Sequence, residues 1–225
     1  ILMFALLLFI LGLSIGSFLN VLIDRLANDE SPISGRSYCD KCKKTLKWYD
    51  MIPVLSFLIL KGKCRYCKDP ISSYYPFVEI ITGLMFVILF FFLIESRIMN
   101  HELWFKNFEF GNYLIFGILN LGFILNYFYY AFILSSFMVI FFTDLKYGII
   151  PDKILYPAVV IFTIYHLSFT IYSPIVNHQS SIINNIFSGV GAFLFFLALY
   201  VVTKGKGMGF GDVKLAFLIG IVLGF

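Results

Sequence analysis

Charged side chains are scarce in this sequence. Asp, Glu, Lys and Arg make up only 13% of the 225 residues, whereas hydrophobic residues make up 60% and aromatic residues 20%. A soluble domain could hardly cover its surface with so few charges, so the composition excludes an ordinary soluble globular protein. Most of the chain is therefore expected to face lipid.

Signatures of several other protein classes are also missing. The histidines His101, His166 and His178 are isolated from one another, which argues against a histidine metal site. The opening apolar run lacks the basic start and the small-residue exit of a cleavable signal peptide. The net charge of +4 does not form a helical stripe or a tail, so nucleic acid is not an expected partner.

Long apolar runs predict an all-α polytopic membrane protein with about six or more transmembrane helices. In lipid such runs can satisfy their backbone only as helices. The candidate spans are 1–23, 77–95, 117–143, 153–172, 182–203 and 212 onward. The chain opens on Ile1 and stops thirteen residues after Asp212, which is about 20 Å of helix against a core of about 30 Å. We therefore expect both ends to be clipped, with a final span or two beyond Phe225.

The polar segment 24–76 is predicted to be a small domain inserted after the first helix. It holds ten of the seventeen Lys and Arg residues and all four cysteines. The predicted domains are thus a first transmembrane helix at 1–23, this segment, and a membrane core at 77–225.

The charge distribution predicts the orientation of the chain. If 113–143 is one span rather than two, fifteen of the seventeen cations lie on one side of the membrane. The positive-inside rule assigns that side to the cytoplasm. This places 24–76 in the cytoplasm and the joins 96–112 and 173–181 outside.

The cysteines form two Cys-x-x-Cys pairs, Cys39 with Cys42 and Cys64 with Cys67, separated by twenty-one residues. This spacing is close to that of a four-thiolate zinc ribbon. The alternative is two disulfides, which require an oxidising compartment, whereas the charge count places the segment in the cytoplasm. A closed tetrathiolate has no open position for water, so the expected role of the zinc is structural.

Two acids stand out because an ionised carboxylate in hydrocarbon is costly unless it is paired or hydrated. Asp144 closes the apolar run FMVIFFTD, and Asp212 opens the last span after GMGFGD. Either acid alone could be a helix-end charge that reaches water. Two carboxylates in one site instead share a proton, so one can act as base on a water and the other as acid. Such a pair predicts peptide hydrolysis without a covalent intermediate.

Glycines alternate with other residues ahead of Asp212. Gly207, Gly209 and Gly211 leave backbone amides uncovered, so an extended peptide could lie against them as in a substrate groove. A phosphate-binding loop is less favoured, because no strand precedes the run and no Lys-Ser or Lys-Thr pair follows it.

Four stretches of the sequence resemble one family. GMGFGD at 207–212 resembles the GxGD signature of polytopic aspartyl proteases, and TDLKYGIIPD at 143–152 resembles a segment of the type IV prepilin peptidases. GSFLNVLIDRL at 16–26 and the run from Trp48 to Gly83 match that family as well. The resemblance covers nearly the whole chain in order.

The resemblance implies the activity, the substrates and the site residues. Asp144 and Asp212 would be the catalytic pair, with Asp152 a less favoured candidate. The substrates would be type IV prepilins or pseudopilins of pilus and protein-secretion systems, cut at the cytoplasmic face of the bacterial inner membrane. Many members of the family also N-methylate the new N-terminus with S-adenosylmethionine. By resemblance alone, this second activity would involve the cysteine domain and Gly62.

Two hypotheses of other classes stay open at this point. An ion-coupled transporter would use Asp144 and Asp212 as binding acids, but it would place them near mid-membrane rather than at one face. A non-enzymatic scaffold of a pilus or secretion assembly would tolerate a change of either aspartate. The sequence leaves the oligomeric state open.

Overall fold

The computed structural model describes residues 2–32, 35–39, 41–100, 121–172 and 179–224, with side chains described except at 96–100, 168–172 and 179–182. A short 3-10 turn lies at Trp48–Asp50. The helices in these ranges are α1 (Leu2–Ala27), α2 (Leu55–Ile59), α3 (Tyr74–Asn100), α4 (Leu121–Tyr147), α5 (Asp152–Tyr172), α6 (Gln179–Val202) and α7 (Phe210–Leu223).

Four of the helices confirm the prediction of a helical membrane protein. Within the described ranges, the stretches long and apolar enough to cross a membrane are Leu2–Ala27, Tyr74–Glu95, Leu121–Tyr147 and Ile183–Val202. The predicted span 153–172 is helical as α5, and the stretch from 212 onward lies in α7, but neither belongs to these four. Since α7 has 14 residues, it is about 21 Å long and shorter than a full crossing. Six or more spans therefore stay a prediction.

The helices extend beyond the predicted span ends. Helix α1 continues from residue 23 to Ala27, and α3 reaches Asn100, inside the predicted outer join 96–112. Helix α6 begins at Gln179, inside the predicted join 173–181. The remaining parts of both joins, and the start of 113–143, lie outside the described residues.

The chain divides into two compact units, unit 1 at Ile1–Ser135 and unit 2 at Ser136–Phe225. In unit 1, α1 and α3 pack so closely that glycine is required between them. A Cβ built at Gly12 would lie 2.7 Å from the Gly83 Cα, and one at Gly16 would lie 2.7 Å from the Glu79 Cα. Small residues at a four-residue spacing allow this kind of approach between membrane helices.

An aromatic cluster joins α3 to the first half of α4 within unit 1. Its buried members are Phe86, Phe90, Phe123, Tyr127 and Ala131. The rings of Phe90 and Tyr127 meet edge to face with centroids 6.4 Å apart. The Tyr127 hydroxyl donates a hydrogen bond to the Phe86 carbonyl oxygen over 3.0 Å, so this buried polar group is satisfied.

Unit 2 contains the end of α4 together with α5, α6 and α7. Its buried apolar cluster contains Ile140 of α4, Leu155 and Ala158 of α5, and Leu218 of α7. Helices α6 and α7 approach closely where a Cβ built at Gly220 would lie 2.8 Å from the Gly189 Cα. The two acids singled out from the sequence both belong to this unit.

Candidate metal centre and aspartate site

The two Cys-x-x-Cys pairs form matching turns in unit 1. In the first turn the Lys43 N–H donates to the Cys39 carbonyl over 2.8 Å, and in the second the Lys68 N–H donates to the Cys64 carbonyl over 3.0 Å. Lys43 and Lys68 have positive φ angles of 53° and 61°. The turns are flanked by the isolated β-bridges Tyr38↔Thr45 and Lys63↔Pro70. Each turn therefore presents its two thiols by the same backbone geometry.

The four thiols lie close enough to hold one metal ion. All four Sγ atoms are within 4.8 Å of one another, and the Cys39 and Cys67 Sγ atoms are 3.8 Å apart. A tetrahedral ion with Zn–S bonds of about 2.3 Å separates its sulfurs by about 3.8 Å. All four cysteines are free thiols rather than disulfides. The cluster predicted from the spacing is thus confirmed as a metal-binding arrangement.

The thiols of the cluster differ in how readily they ionise. Hydrogen bonding from the Cys67 backbone amide lowers the pKa of the Cys64 thiol to about 7, despite burial. The Asp69 amide lowers the pKa of the Cys67 thiol, but burial and hydrogen bonding with the other three thiols raise it to about 12. Four thiolates together therefore need a cation among them, as a tetrathiolate metal site provides.

Ion pairs tie together the segment 24–76, which we call the metal-binding segment. Lys41 of the first turn pairs with Asp69, just after the second turn. The Arg65 Nε donates to the Asp50 carboxylate over 2.6 Å and so links the 3-10 turn to the second pair of cysteines. Burial raises the pKa of Asp50, but hydrogen bonds from Arg65 and from the Lys47 amide outweigh it and hold that pKa below its usual value.

Gly62 lies in the turn that follows α2. Its φ of +67° is left-handed, and a Cβ there would lie 3.1 Å from the Phe57 ring. The Gly62 N–H donates to the Phe57 carbonyl over 2.9 Å, and its own carbonyl accepts from Ile71 over 2.7 Å. The structure thus assigns Gly62 a local backbone role, and its part in methyl transfer stays a prediction.

Asp144 lies in the last turn of α4, with an exposed side chain. The helix ends directly afterwards, because Gly148 adopts a left-handed φ of +67° and its N–H donates to the Asp144 carbonyl over 2.7 Å. Within the described ranges, no hydrogen bond or ion pair engages the Asp144 carboxylate. This acid is open to water or to a ligand.

Asp212 lies in the first turn of α7 and is half-buried. Its Oδ2 accepts a hydrogen bond from the Gly209 N–H over 2.9 Å, so the carboxylate caps the start of the helix. Gly207 and Gly209 are exposed, whereas a Cβ at Gly211 would lie 3.1 Å from the Ile150 Cβ. Two of the three predicted groove glycines are therefore accessible, and the third packs against another element.

The segments that carry the two aspartates meet within unit 2. Ile150, in the turn after Asp144, packs against Gly211, the neighbour of Asp212. Asp152 at the start of α5 accepts hydrogen bonds of 2.8 Å at both carboxylate oxygens from Lys214 Nζ of α7, which lies 62 positions further along the chain. Asp144 and Asp212 thus lie at the end of α4 and the start of α7, and the turn that follows α4 packs against α7.

Sequence reasoning missed a third group of polar residues. Ser17, Asn20 and Asp24 are spaced by three and four residues on one face of α1, and Glu79 faces them from α3. They line a cavity of about 480 Å³ in unit 1. The signal that could have found them is the helical spacing of polar residues inside a predicted membrane span.

Comparisons with known proteins agree along most of the chain. The Bacterial Peptidase A24 N-terminal domain matches residues 10–93, and the Type IV leader peptidase family matches residues 131–225. The first match contains the four cysteines and the second contains both aspartates. No solved structure matches the chain.

Several relatives carry the name Prepilin leader peptidase/N-methyltransferase. The one from Bacillus subtilis is 31% identical over 217 residues, which is 96% of this chain and 73% of the relative. The one from Vibrio cholerae is 32% identical over 227 residues, which is 96% of this chain and 76% of the relative. A relative from Myxococcus xanthus is 52% identical over 84 residues, which is 37% of this chain and 25% of the relative. The chain belongs to the type IV leader peptidase family.

Proposed function

We propose that this chain is a membrane aspartyl endopeptidase that removes the leader peptide of type IV prepilins or pseudopilins. Asp144 and Asp212 are its catalytic pair, and they face the cytoplasmic side of the bacterial inner membrane. Family membership and the names of the relatives support the substrate class. The excess of Lys and Arg in 24–76 and in the turns of unit 2 supports the orientation.

One observation carries the assignment of the pair. The turn after Asp144 packs on the first residues of α7 through Ile150 and Gly211, and the ion pair of Asp152 with Lys214 fastens the same two segments. Both acids therefore belong to one end of unit 2. A carrier would instead place its binding acids within its spans, and a scaffold has no need for either acid.

The proposed chemistry divides two roles between the carboxylates. The ionised partner takes a proton from water, and the oxygen of that water attacks the scissile carbonyl carbon. The protonated partner donates to the carbonyl oxygen, and a proton then passes to the amide nitrogen as the C–N bond breaks. The Gly209 amide holds the Oδ2 of Asp212, which orients this carboxylate for the reaction.

The glycine-rich loop supplies the substrate groove in this proposal. Gly207 and Gly209 are exposed and carry no side chain, so an extended leader peptide can lie beside their backbone next to Asp212. Gly211 serves the packing on Ile150 instead, because a Cβ there would press on that side chain.

Zinc is the metal proposed for the four cysteines. Cys39, Cys42, Cys64 and Cys67 would hold it as thiolates, and the separations of their sulfur atoms fit its tetrahedral preference. When bound, it supplies a cross-link between the two turns. A segment of about fifty residues has little core of its own, so this cross-link stabilises its fold.

N-methylation of the new N-terminus is the proposed second activity. S-adenosylmethionine, when bound, supplies a methyl group on a positively charged sulfur. The pilin amine would take up this methyl group and release one proton, and S-adenosylhomocysteine would be the other product. The relatives' names support this activity.

Substitution of each aspartate tests the protease. The purified chain is incubated with a prepilin, and the products are weighed by mass spectrometry. Asp144→Asn and Asp212→Asn should each slow leader removal by about 10³-fold or more, because Asn keeps the size of Asp but acts neither as an acid nor as a base near neutral pH. Both variants should keep their zinc, which controls for folding. Normal leader removal by either variant would disprove the pair.

A further inference from the structure

The polar cavity of unit 1 has the size of a small-molecule site. Its volume is about 480 Å³, inside the ~300–1,000 Å³ range of pockets that take drug-sized ligands. It lies among the second half of α1, the start of α3 and the metal-binding segment. Aromatic and aliphatic side chains, including Phe57 and Leu60, line it beside the polar ones.

One wall of the cavity is a seam of hydrogen-bond acceptors between α1 and α3. Asn20 Nδ2 donates to the Tyr75 carbonyl over 3.0 Å, and the Tyr75 hydroxyl donates to Asp24 Oδ2 over 2.9 Å. One helical turn away, Ser17 hydrogen-bonds to the Glu79 side chain. We name Asn20, Asp24 and Glu79 the acceptor seam. All three line the cavity.

Asn20 leaves an acceptor without a partner in this seam. The residue is only 5% exposed, and its Oδ1 atom has no hydrogen-bond partner. The orientation of the amide is set, because the Tyr75 carbonyl can only accept and so requires the amide nitrogen. A buried unsatisfied oxygen is costly, so a ligand with an N–H donor would gain by binding here.

Glu79 adds a carboxylate with no cation. It is 8% exposed, and its Oε2 accepts from the Val54 N–H over 2.7 Å. Across the part of the chain that the structure describes, no Lys or Arg forms an ion pair with it. Elsewhere on the cavity wall, Asp50 and Asp69 already pair with Arg65 and Lys41. The seam is therefore the part of the cavity that suits a positively charged group.

We propose that the acceptor seam binds the α-ammonium group of S-adenosylmethionine, with Glu79 as counter-ion and Asn20 Oδ1 as acceptor. The inference rests on the proposed methyl transfer and assigns its donor site to residues of α1 and α3. Phe57 and Leu60 also line the cavity and suit the adenosine ring. Gly62 belongs to the same site indirectly, because a side chain there would press on Phe57.

Equilibrium binding of radiolabelled S-adenosylmethionine to the full zinc-loaded chain in detergent tests the site. Glu79→Gln should weaken binding by about tenfold or more, because it removes the charge and keeps an oxygen for the Val54 amide. Glu79→Asp keeps the charge, so its affinity for S-adenosylmethionine should lie between those of the native chain and Glu79→Gln. Glu95→Gln, an exposed change near the other end of α3, should bind as the native chain does. Zinc content and melting temperature show that each variant is folded.

Three outcomes would overturn the inference. The native chain could fail to bind S-adenosylmethionine, or Glu79→Gln could bind it as tightly as the native chain does. Thirdly, Glu79→Gln could weaken binding of a leaderless pilin peptide and leave S-adenosylmethionine unaffected, which would make the seam a site for the substrate amine. Leader removal by the native chain is measured in parallel. If the native chain removes no leader peptide but binds S-adenosylmethionine in a Glu79-dependent way, the proposed protease is wrong and the donor site is supported.

Discussion

The two units hold their polar groups in opposite ways. Unit 1 clusters them, since four thiols lie within 4.8 Å of one another and the Glu79 carboxylate is buried against α1. Unit 2 places its acids at helix ends, where Asp144 is exposed and Asp212 is half-buried. A cluster of ligand groups suits a metal and a small cofactor that must be held in place. Open helix ends suit a long peptide that must enter and leave. The comparison indicates two separate chemistries in one chain.

Removal of two metal ligands should produce the largest difference between the activities assigned to the two units. Cys39→Ser with Cys42→Ser should lower zinc from one per chain to below about a tenth, because a site with two ligands binds far more weakly. The metal-binding segment forms much of the cavity wall, so methyl-donor binding should be lost with the zinc. Leader removal at high prepilin concentration should persist in part, since both aspartates lie in unit 2.

Metal analysis, S-adenosylmethionine binding and leader removal are measured on the same preparation. Ser73→Ala is the control, because this exposed residue of the same segment lies outside the cavity lining and its change leaves every thiol in place. It should keep full zinc. Equal loss of both activities in the double variant, together with a lower melting temperature, would mean that the metal-binding segment braces the membrane helices. Full zinc in the double variant would disprove the four-thiolate site itself.

The metal centre was predictable because its geometry is local. Each pair of thiols is presented by a turn within five residues, so the spacing of Cys39, Cys42, Cys64 and Cys67 carries the information. The helical class was predictable for a similar reason, since apolar runs in lipid have one backbone solution. The junction of the two turns depends on longer-range contacts, such as the pairing of Lys41 with Asp69.

Substitutions at close helix contacts should produce a smaller difference between the activities assigned to the two units. Gly16→Ala would bring a Cβ to 2.7 Å from the Glu79 Cα, and Gly220→Ala would bring one to 2.8 Å from the Gly189 Cα. Each should cost about 1–3 kcal/mol of stability, because backbone cannot yield cheaply. The first should weaken S-adenosylmethionine binding more than leader removal, and the second should do the reverse.

Gly191→Ala is the matched control for this pair. It lies in α6 with nothing within 4 Å of a built Cβ, so it should be neutral or stabilise the helix by up to about 1 kcal/mol. Melting temperatures in detergent rank the three variants, and the two assays show which function each affects. Equal effects of Gly16→Ala and Gly220→Ala on both assays would show that the units do not act separately.

The sequence predicts residues for the aspartate site but not how the segments that carry them assemble. Asp144 and Asp212 stand out as acids at the ends of apolar runs, yet nothing local shows that Ile150 packs on Gly211 or that Asp152 pairs with Lys214. Sequence reasoning missed the acceptor seam because the polar residues of α1 form a site only when α3 packs against them.

The smallest expected effect distinguishes a structural acid from a catalytic one within unit 2. Asp152 is 49% exposed at its side chain and holds Lys214 over 2.8 Å. An exposed ion pair contributes about 0–1 kcal/mol, so Asp152→Asn should lower the melting temperature only slightly. Asn still accepts a hydrogen bond from Lys214, so the turn should stay packed on α7. Leader removal should therefore fall less than about threefold, far from the ~10³-fold loss expected for Asp144→Asn. A loss of similar size in Asp152→Asn would show that Asp152 takes part in the reaction and is not only a structural acid.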